Sequence, residues 1–192
     1  MHETLFSYLE QLVSLSSRQK ELLNGILIDR SWPAASMVLE EGAIAQSLLF
    51  ITRGGMRSYK LRDGEDLTDY FFFETDFATD YASLYSGRPT RFFLETLEPT
   101  EALEIRRTDL LALGQEDPFF ETFGRLMAEQ AFVEIEARLQ LFHHENLEVR
   151  LRWLLHQFPQ LFQRVPQYHI ASYLGVKPES LSRIKKMVIR DL

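Results

Sequence analysis

Cysteine is absent from this chain. Disulfides, thiolate-held iron–sulfur clusters and a cysteine nucleophile are excluded at once. The absence suits a reducing compartment, and the expected location is cytoplasmic. Long apolar runs are missing too: none approaches the ~20 residues that cross a bilayer, so no membrane association is expected. The opening MHETLFSYLEQLV threads acids and polar residues through its apolar pattern and does not read as a signal peptide. There is no phosphate-gripping glycine loop, nucleophile elbow or zinc-ligand spacing. The adjacent His143 and His144 would diverge by about 100° around a helix axis, a poor arrangement for sharing one ion. No catalytic residue, metal or cofactor is expected, and the chain does not read as an enzyme.

What is present is ordinary globular material: 45% hydrophobic and 12% aromatic in 192 residues, enough for a real core. The charge is unevenly placed. The whole chain carries −7, but from Arg164 onward six Lys/Arg face only Glu179 and Asp191, a net of +4, which leaves −11 on the first 163 residues. An acidic body with a basic end is the asymmetry of a DNA-binding protein whose other part has a different task.

The first 30 or so residues read as helical, with Leu5, Leu9, Leu12 and Val13 on one face and Ser16-Ser17 as a cap and restart. From about Trp32 the period shortens. Ser47–Thr52, Met56–Leu61, Thr68–Phe73, Phe92–Leu97 and Ala102–Ile105 are β-prone, and Gly- or Pro-bearing turns separate them. Such spacing predicts a small antiparallel barrel or sandwich. Phe77–Leu84 is expected to interrupt it as a short helix. Another short helix is expected over Asp109–Leu113. Asp117-Pro118 should open a long one, Asp as cap and Pro at the first helical position. Its apolar stripe (Phe119, Phe120, Phe123, Leu126, Met127, Phe132, Val133, Ile135, Leu139) is wider than one barrel would cover, which favours pairing with a second copy. A hinge is expected near Glu145–Glu148.

The most informative stretch is VPQYHIASYLGVKPESLSRIKKMVIR, from Val165 to Arg190. Val165, Ile170, Ala171 and Leu174 can share one helix face. Gly175 suits the left-handed turn that closes that helix, and Pro178 suits the first turn of the next. Leu181, Ile184 and Val188 then point inward, leaving Glu179, Ser180, Ser182, Arg183, Lys185 and Lys186 outside. By pattern alone this is either a helix-turn-helix or a plain helical hairpin with a solvated basic face.

With these parts in order, the chain resembles the Crp–Fnr superfamily of transcription regulators, most of all its Bacteroidetes-type branch. IASYLGVKPESLSRIKK is similar to the family's helix-turn-helix. LEEGAIAQSLLFITRGGMRSY is similar to its β-roll opening, and DFATDYASLYSGRPTRFFLETLEPTEALEI to its phosphate cassette. The resemblance implies an α+β fold. An antiparallel, cyclic-nucleotide-binding-like β-roll with N-terminal helices occupies 1–115, a long dimerisation helix 116–145, and a helix-turn-helix with a short or absent wing 146–192. It implies a homodimer on double-stranded DNA. Arg183 would donate to guanine and Glu179 would accept from cytosine N4, while Lys177, Ser180, Ser182, Lys185 and Lys186 would touch phosphates. RNA polymerase and an unidentified small-molecule effector are further partners it allows. The alternative is a ligand-sensing module whose helix-turn-helix binds protein.

The departures also carry meaning. Thr79-Asp80 stands where the nucleotide binders place Gly-Glu, and Arg91 is followed by Phe92 instead of Ser or Thr. A ligand pocket at Thr79, Asp80, Arg91 and Phe92 is therefore not expected to take cyclic AMP, and Asp80 is expected to pair with Arg91. Any other ligand would sit against Tyr70, Phe71, Phe73 and Tyr81.

Overall fold

The computed structural model describes residues 2–188. The chain divides into two compact units, one of residues 1–60 and 70–126, the other of residues 61–69 and 127–192.

In the first unit, α1 (His2–Leu12) is followed by α2 (Ser17–Ile26). Ser16 caps α2 through a reciprocal pair in which its hydroxyl accepts from Gln19 N–H and the Gln19 side chain accepts from Ser16 N–H. Eight strands follow: β1 (Ile28–Trp32), β2 (Met37–Leu39), β3 (Ser47–Arg53), β4 (Met56–Arg62), β5 (Glu65–Phe72), β6 (Phe77–Ala78), β7 (Phe93–Thr96) and β8 (Thr100–Arg106). They form two four-stranded sheets, ordered β1-β8-β3-β6 and β2-β7-β4-β5. Leu49, Ile51, Met56, Phe72, Ala78, Leu94 and Ala102 pack together as a core drawn from both. On the other face of β3, Phe50 packs with Tyr8 of α1 and with Phe77, ring centroids 5.6 and 5.1 Å away. α3 (Tyr81–Ser86) lies between β6 and β7, and α4 (Arg107–Glu116) follows β8. The α+β roll is as the sequence implies.

Three details differ from the sequence reading. The sheet begins at Ile28, before Trp32, because β1 pairs edge-on with β8 from Ile28↔Glu104 to Trp32↔Thr100. Phe77–Leu84 is not one helix: Phe77 and Ala78 pair with Phe50 and Leu49 first. The helix then starts after Asp80, whose side chain accepts from Ser83 N–H. β2 and β6 were not expected at all.

α5 (Phe119–His144) is the long helix, opened by Asp117 through its side-chain bond from Phe119 N–H. Its stripe splits. Phe120, Phe123 and Met127 are buried, whereas Phe132, Val133, Ile135 and Leu139 are exposed, Phe132 by 67%.

The second unit holds the tip of the β4–β5 hairpin, turned by Asp63 (φ 53°) and Gly64 (φ 83°). With it go the later part of α5 and four more helices: α6 (Leu147–Gln157), α7 (Leu161–Arg164), α8 (Gln167–Tyr173) and α9 (Pro178–Val188). The break between α5 and α6 falls where the hinge was expected, with Asn146 capping α6. Leu151, Leu154, Leu161, Val165, Ile170, Leu174, Leu181 and Val188 are among this unit's buried residues. The expected missing wing concerns residues after Lys186; Ile189–Leu192 lie outside the described residues.

Candidate nucleic-acid interface

The α8–α9 turn is built from backbone hydrogen bonds. Val176 N–H donates to Ala171 C=O and Gly175 N–H to Ser172 C=O, each at 3.0 Å. Gly175 sits at φ +67°. This is the paired closure that ends a helix on a left-handed residue. Lys177 C=O accepts from Ser180 N–H and Leu181 N–H, so Lys177 occupies the cap position of α9. Leu181 and Val188 are fully buried, Ile184 partly. Lys177, Glu179, Arg183 and Lys186 are exposed, with Ser180, Ser182 and Lys185 half-buried. The seven residues expected to read DNA therefore lie on one short helix and its cap. The Lys185 ammonium rests over the Phe162 ring, 3.8 Å from its centroid. Among the described residues, Arg183 and Glu179 hold no ion pair, which leaves donor and acceptor facing outward.

Three supports were not anticipated from sequence. Arg150 of α6 donates through Nη1 to Leu174 C=O, 3.1 Å, which fixes the last carbonyl before the turn. Ser172 of α8 holds the hairpin tip: its Oγ accepts from Thr68 N–H and donates to Asp66 C=O, both at 2.9 Å. Arg138 of α5 donates to Asp69 C=O and lies 3.5 Å from the Asp69 carboxylate. The Arg138 guanidinium also sits 5.2 Å from the Tyr173 ring centroid. Burial pushes the Tyr173 hydroxyl up to about 12, Asp69 adding to the rise and the Arg138 charge and hydrogen bond opposing it. The one trace of these contacts in the sequence is the pair of cations, Arg138 and Arg150, set among the leucines of two amphipathic helices.

In the roll, Thr79 and Asp80 of the cassette are used internally. The Asp80 carboxylate accepts from Ser83 N–H (3.1 Å) and from the Thr90 hydroxyl (2.6 Å). Thr79 donates through Oγ1 to Ser47 C=O, 2.9 Å. Arg91 is exposed and, among the described residues, forms no ion pair, so the expected Asp80–Arg91 bridge is not made. Thr90, one residue earlier, satisfies Asp80 instead. Phe92 is half-buried, with the Lys60 ammonium 5.9 Å from its ring centroid. Phe71 and Phe73, expected to line any ligand site, are core residues.

The comparisons fall in with this geometry. Residues 29–117 match the model of the cyclic nucleotide-binding domain. That segment is the roll. FixK2 from Bradyrhizobium japonicum superposes with a TM-score of 0.72 at 20% identity, covering 86% of each chain. The c-di-GMP-responsive global regulator CLP of Xanthomonas campestris gives 0.67 at 18%, over 89% of this chain and 90% of that one. A putative Crp/Fnr-family regulator from Eubacterium rectale gives 0.66 at 19%, over 96% and 88%. The fold is that of the Crp–Fnr regulators. No curated protein matches the chain in sequence. Among the described residues, no helix is long and apolar enough to cross a membrane, and no cluster of three His, Asp or Glu could hold a metal ion.

Proposed function

We propose that this protein is a dimeric, sequence-specific DNA-binding transcription regulator that works in the cytoplasm. Residues 1–115 act as sensor or scaffold, 116–145 as dimerisation helix and 146–192 as the DNA reader. The observation that carries the reading is α9. It is a short helix set by a glycine turn and anchored by Leu181 and Val188, and it exposes Arg183, Glu179, Lys177 and Lys186 together. Arg183 donates to guanine O6/N7 and Glu179 accepts from cytosine N4, while Lys177, Ser180, Ser182, Lys185 and Lys186 engage phosphates. The exposed Phe132, Ile135 and Leu139 recur at i, i+3 and i+7 on α5. Pairing through them places two α9 helices about one DNA turn, ~34 Å, apart. RNA polymerase is the partner through which such a regulator acts on transcription.

Cyclic AMP is not the effector. Thr79 and Asp80 are tied to Ser47, Ser83 and Thr90, so the carboxylate is spent before a ribose arrives. Phe92 offers no hydroxyl to a phosphate. An electrophoretic shift assay tests the whole reading. Binding to an operator must weaken steeply as salt rises, since phosphate contacts release counterions. Salt-independent binding, or none at low salt, refutes it.

A further inference from the structure

A cavity of about 300 Å³ lies in the first unit between the two sheets, a volume at the lower end of small-ligand pockets. Of the four cassette residues discussed above, only Thr79 lines it, so it is not the phosphate-cassette site. Its wall is apolar where Trp32, Val38, Leu39 and Leu94 contribute, and polar where Arg30, Ser47 and Glu104 do.

The polar side has a definite charge balance. Arg30 Nε and Nη2 lie 2.7 and 2.6 Å from Glu104 Oε2, and the Ser47 hydroxyl donates to Glu104 Oε1 at 2.5 Å. Arg106 Nε lies 3.9 Å from the same Oε1. Burial works to raise the Glu104 pKa, but the hydrogen bonds from Ser47 and Arg30 and the two arginine charges outweigh it and hold the carboxyl below its ordinary value. Two cations thus surround one carboxylate whose oxygens are both engaged. Among the described residues, Nη1 of Arg30 donates to nothing. The cluster carries one excess positive charge, and Arg30, its side chain 42% exposed, lines the apolar chamber with Nη1 outside these contacts.

That chemistry selects among ligands. An amine meets excess positive charge and a carboxylate with both oxygens occupied. A cyclic nucleotide needs several donors on its phosphate, and Arg30 has already committed two nitrogens to Glu104. A single anionic head on an aliphatic tail fits both halves. We propose that the roll binds a medium-chain monocarboxylate here, its carboxylate on Arg30 Nη1 and its tail against Trp32, Val38, Leu39 and Leu94. The site is independent of DNA reading.

The two tryptophans are Trp32 and Trp153. In the full-length Trp153→Phe protein, Trp32 is the sole reporter in the cavity wall. Titration with decanoate is expected to give a saturable change in Trp32 emission, and decanol and decylamine are expected to bind at least tenfold more weakly. Arg30→Gln should weaken decanoate at least tenfold and leave decanol unchanged. Arg30→Lys, which keeps the charge and loses the fork, should fall between, and serves if Arg30→Gln does not fold. A flat decanoate titration, equal binding of decanol, or undiminished decanoate binding by folded Arg30→Gln or Arg30→Lys each overturns the proposal. No DNA enters the measurement, so failure here leaves the regulator reading untouched, and failure of DNA binding leaves this site untouched.

Discussion

Gly54 and Gly42 separate two costs that glycine substitutions usually mix. Both lie in the first unit, with nearly the same φ, +89° and +87°. A methyl group at Gly42 meets nothing within 4 Å, whereas at Gly54 it runs into Pro99 C=O and comes within 2.7 Å of Thr100 Oγ1 and 2.8 Å of Thr100 Cα. Those neighbours cannot simply swing aside. Thr100 Oγ1 bonds both Gly55 N–H (3.2 Å) and Gly55 C=O (3.1 Å), and Leu97 N–H donates to Gly55 C=O at 2.8 Å. Gly42→Ala should cost only the left-handed strain, about 1 kcal/mol. Gly54→Ala adds backbone displacement on top, for about 3–5 kcal/mol in all. Urea denaturation of the Trp153→Phe background, followed through Trp32, reads the first unit. At a slope of about 2–3 kcal/mol/M the midpoint should fall by about 1 M or more for Gly54→Ala and by under half that for Gly42→Ala. Equal shifts would refute the packing argument and leave torsion alone as the cost.

Further outcomes follow from the second unit. The folded state holds the Tyr173 proton to about pH 12 against 10.0 ordinarily. It therefore binds more protons than the unfolded chain in that window. Stability, intact below pH 10, should decline by about 2–3 kcal/mol as pH rises to about 12, and Tyr173→Phe should abolish that slope; an unchanged slope in alkaline denaturation contradicts the assignment. Ile135→Asp with Leu139→Asp should place four charges in the apolar interface of a dimer, two from each copy. That weakens association at least a hundredfold, about 3 kcal/mol or more, in analytical ultracentrifugation. Identical sedimentation would show that α5 does not join two copies. Arg183→Ala should cost about 1–3 kcal/mol and relax preference at one base pair in each half-site, where Lys186→Ala should weaken all sequences alike.

Local signals made much of this molecule readable. The Ser16 cap, the Asp117-Pro118 helix start, the Asn146 break and the Gly175 turn each depend on residues within about five positions, and each stands where its chemistry put it. The outer face of α9 follows from helical period alone. What could not be read is pairing across distance. β1 is an edge strand whose Asp29, Arg30 and Ser31 are all exposed, so it shows no alternation. β6 is two residues long and exists because Leu49 and Phe50 are there to bond it. Arg91 is the nearby cation that charge alone suggests for Asp80, but Thr90 already faces it with a hydroxyl. The Ser172 clasp on Asp66 and Thr68, and the meeting of Arg30 with Glu104, join residues too far apart for any spacing rule.

If α9 reads base pairs as one of a symmetric pair, selection of bound sequences from a random DNA pool will reveal it. The expected outcome is an enriched palindrome whose half-sites lie about one helical turn apart, with a G·C pair in each half that loses its enrichment when Arg183→Ala protein performs the selection. A pool that emerges unenriched, or a motif with no internal symmetry and no dependence on Arg183, would contradict it.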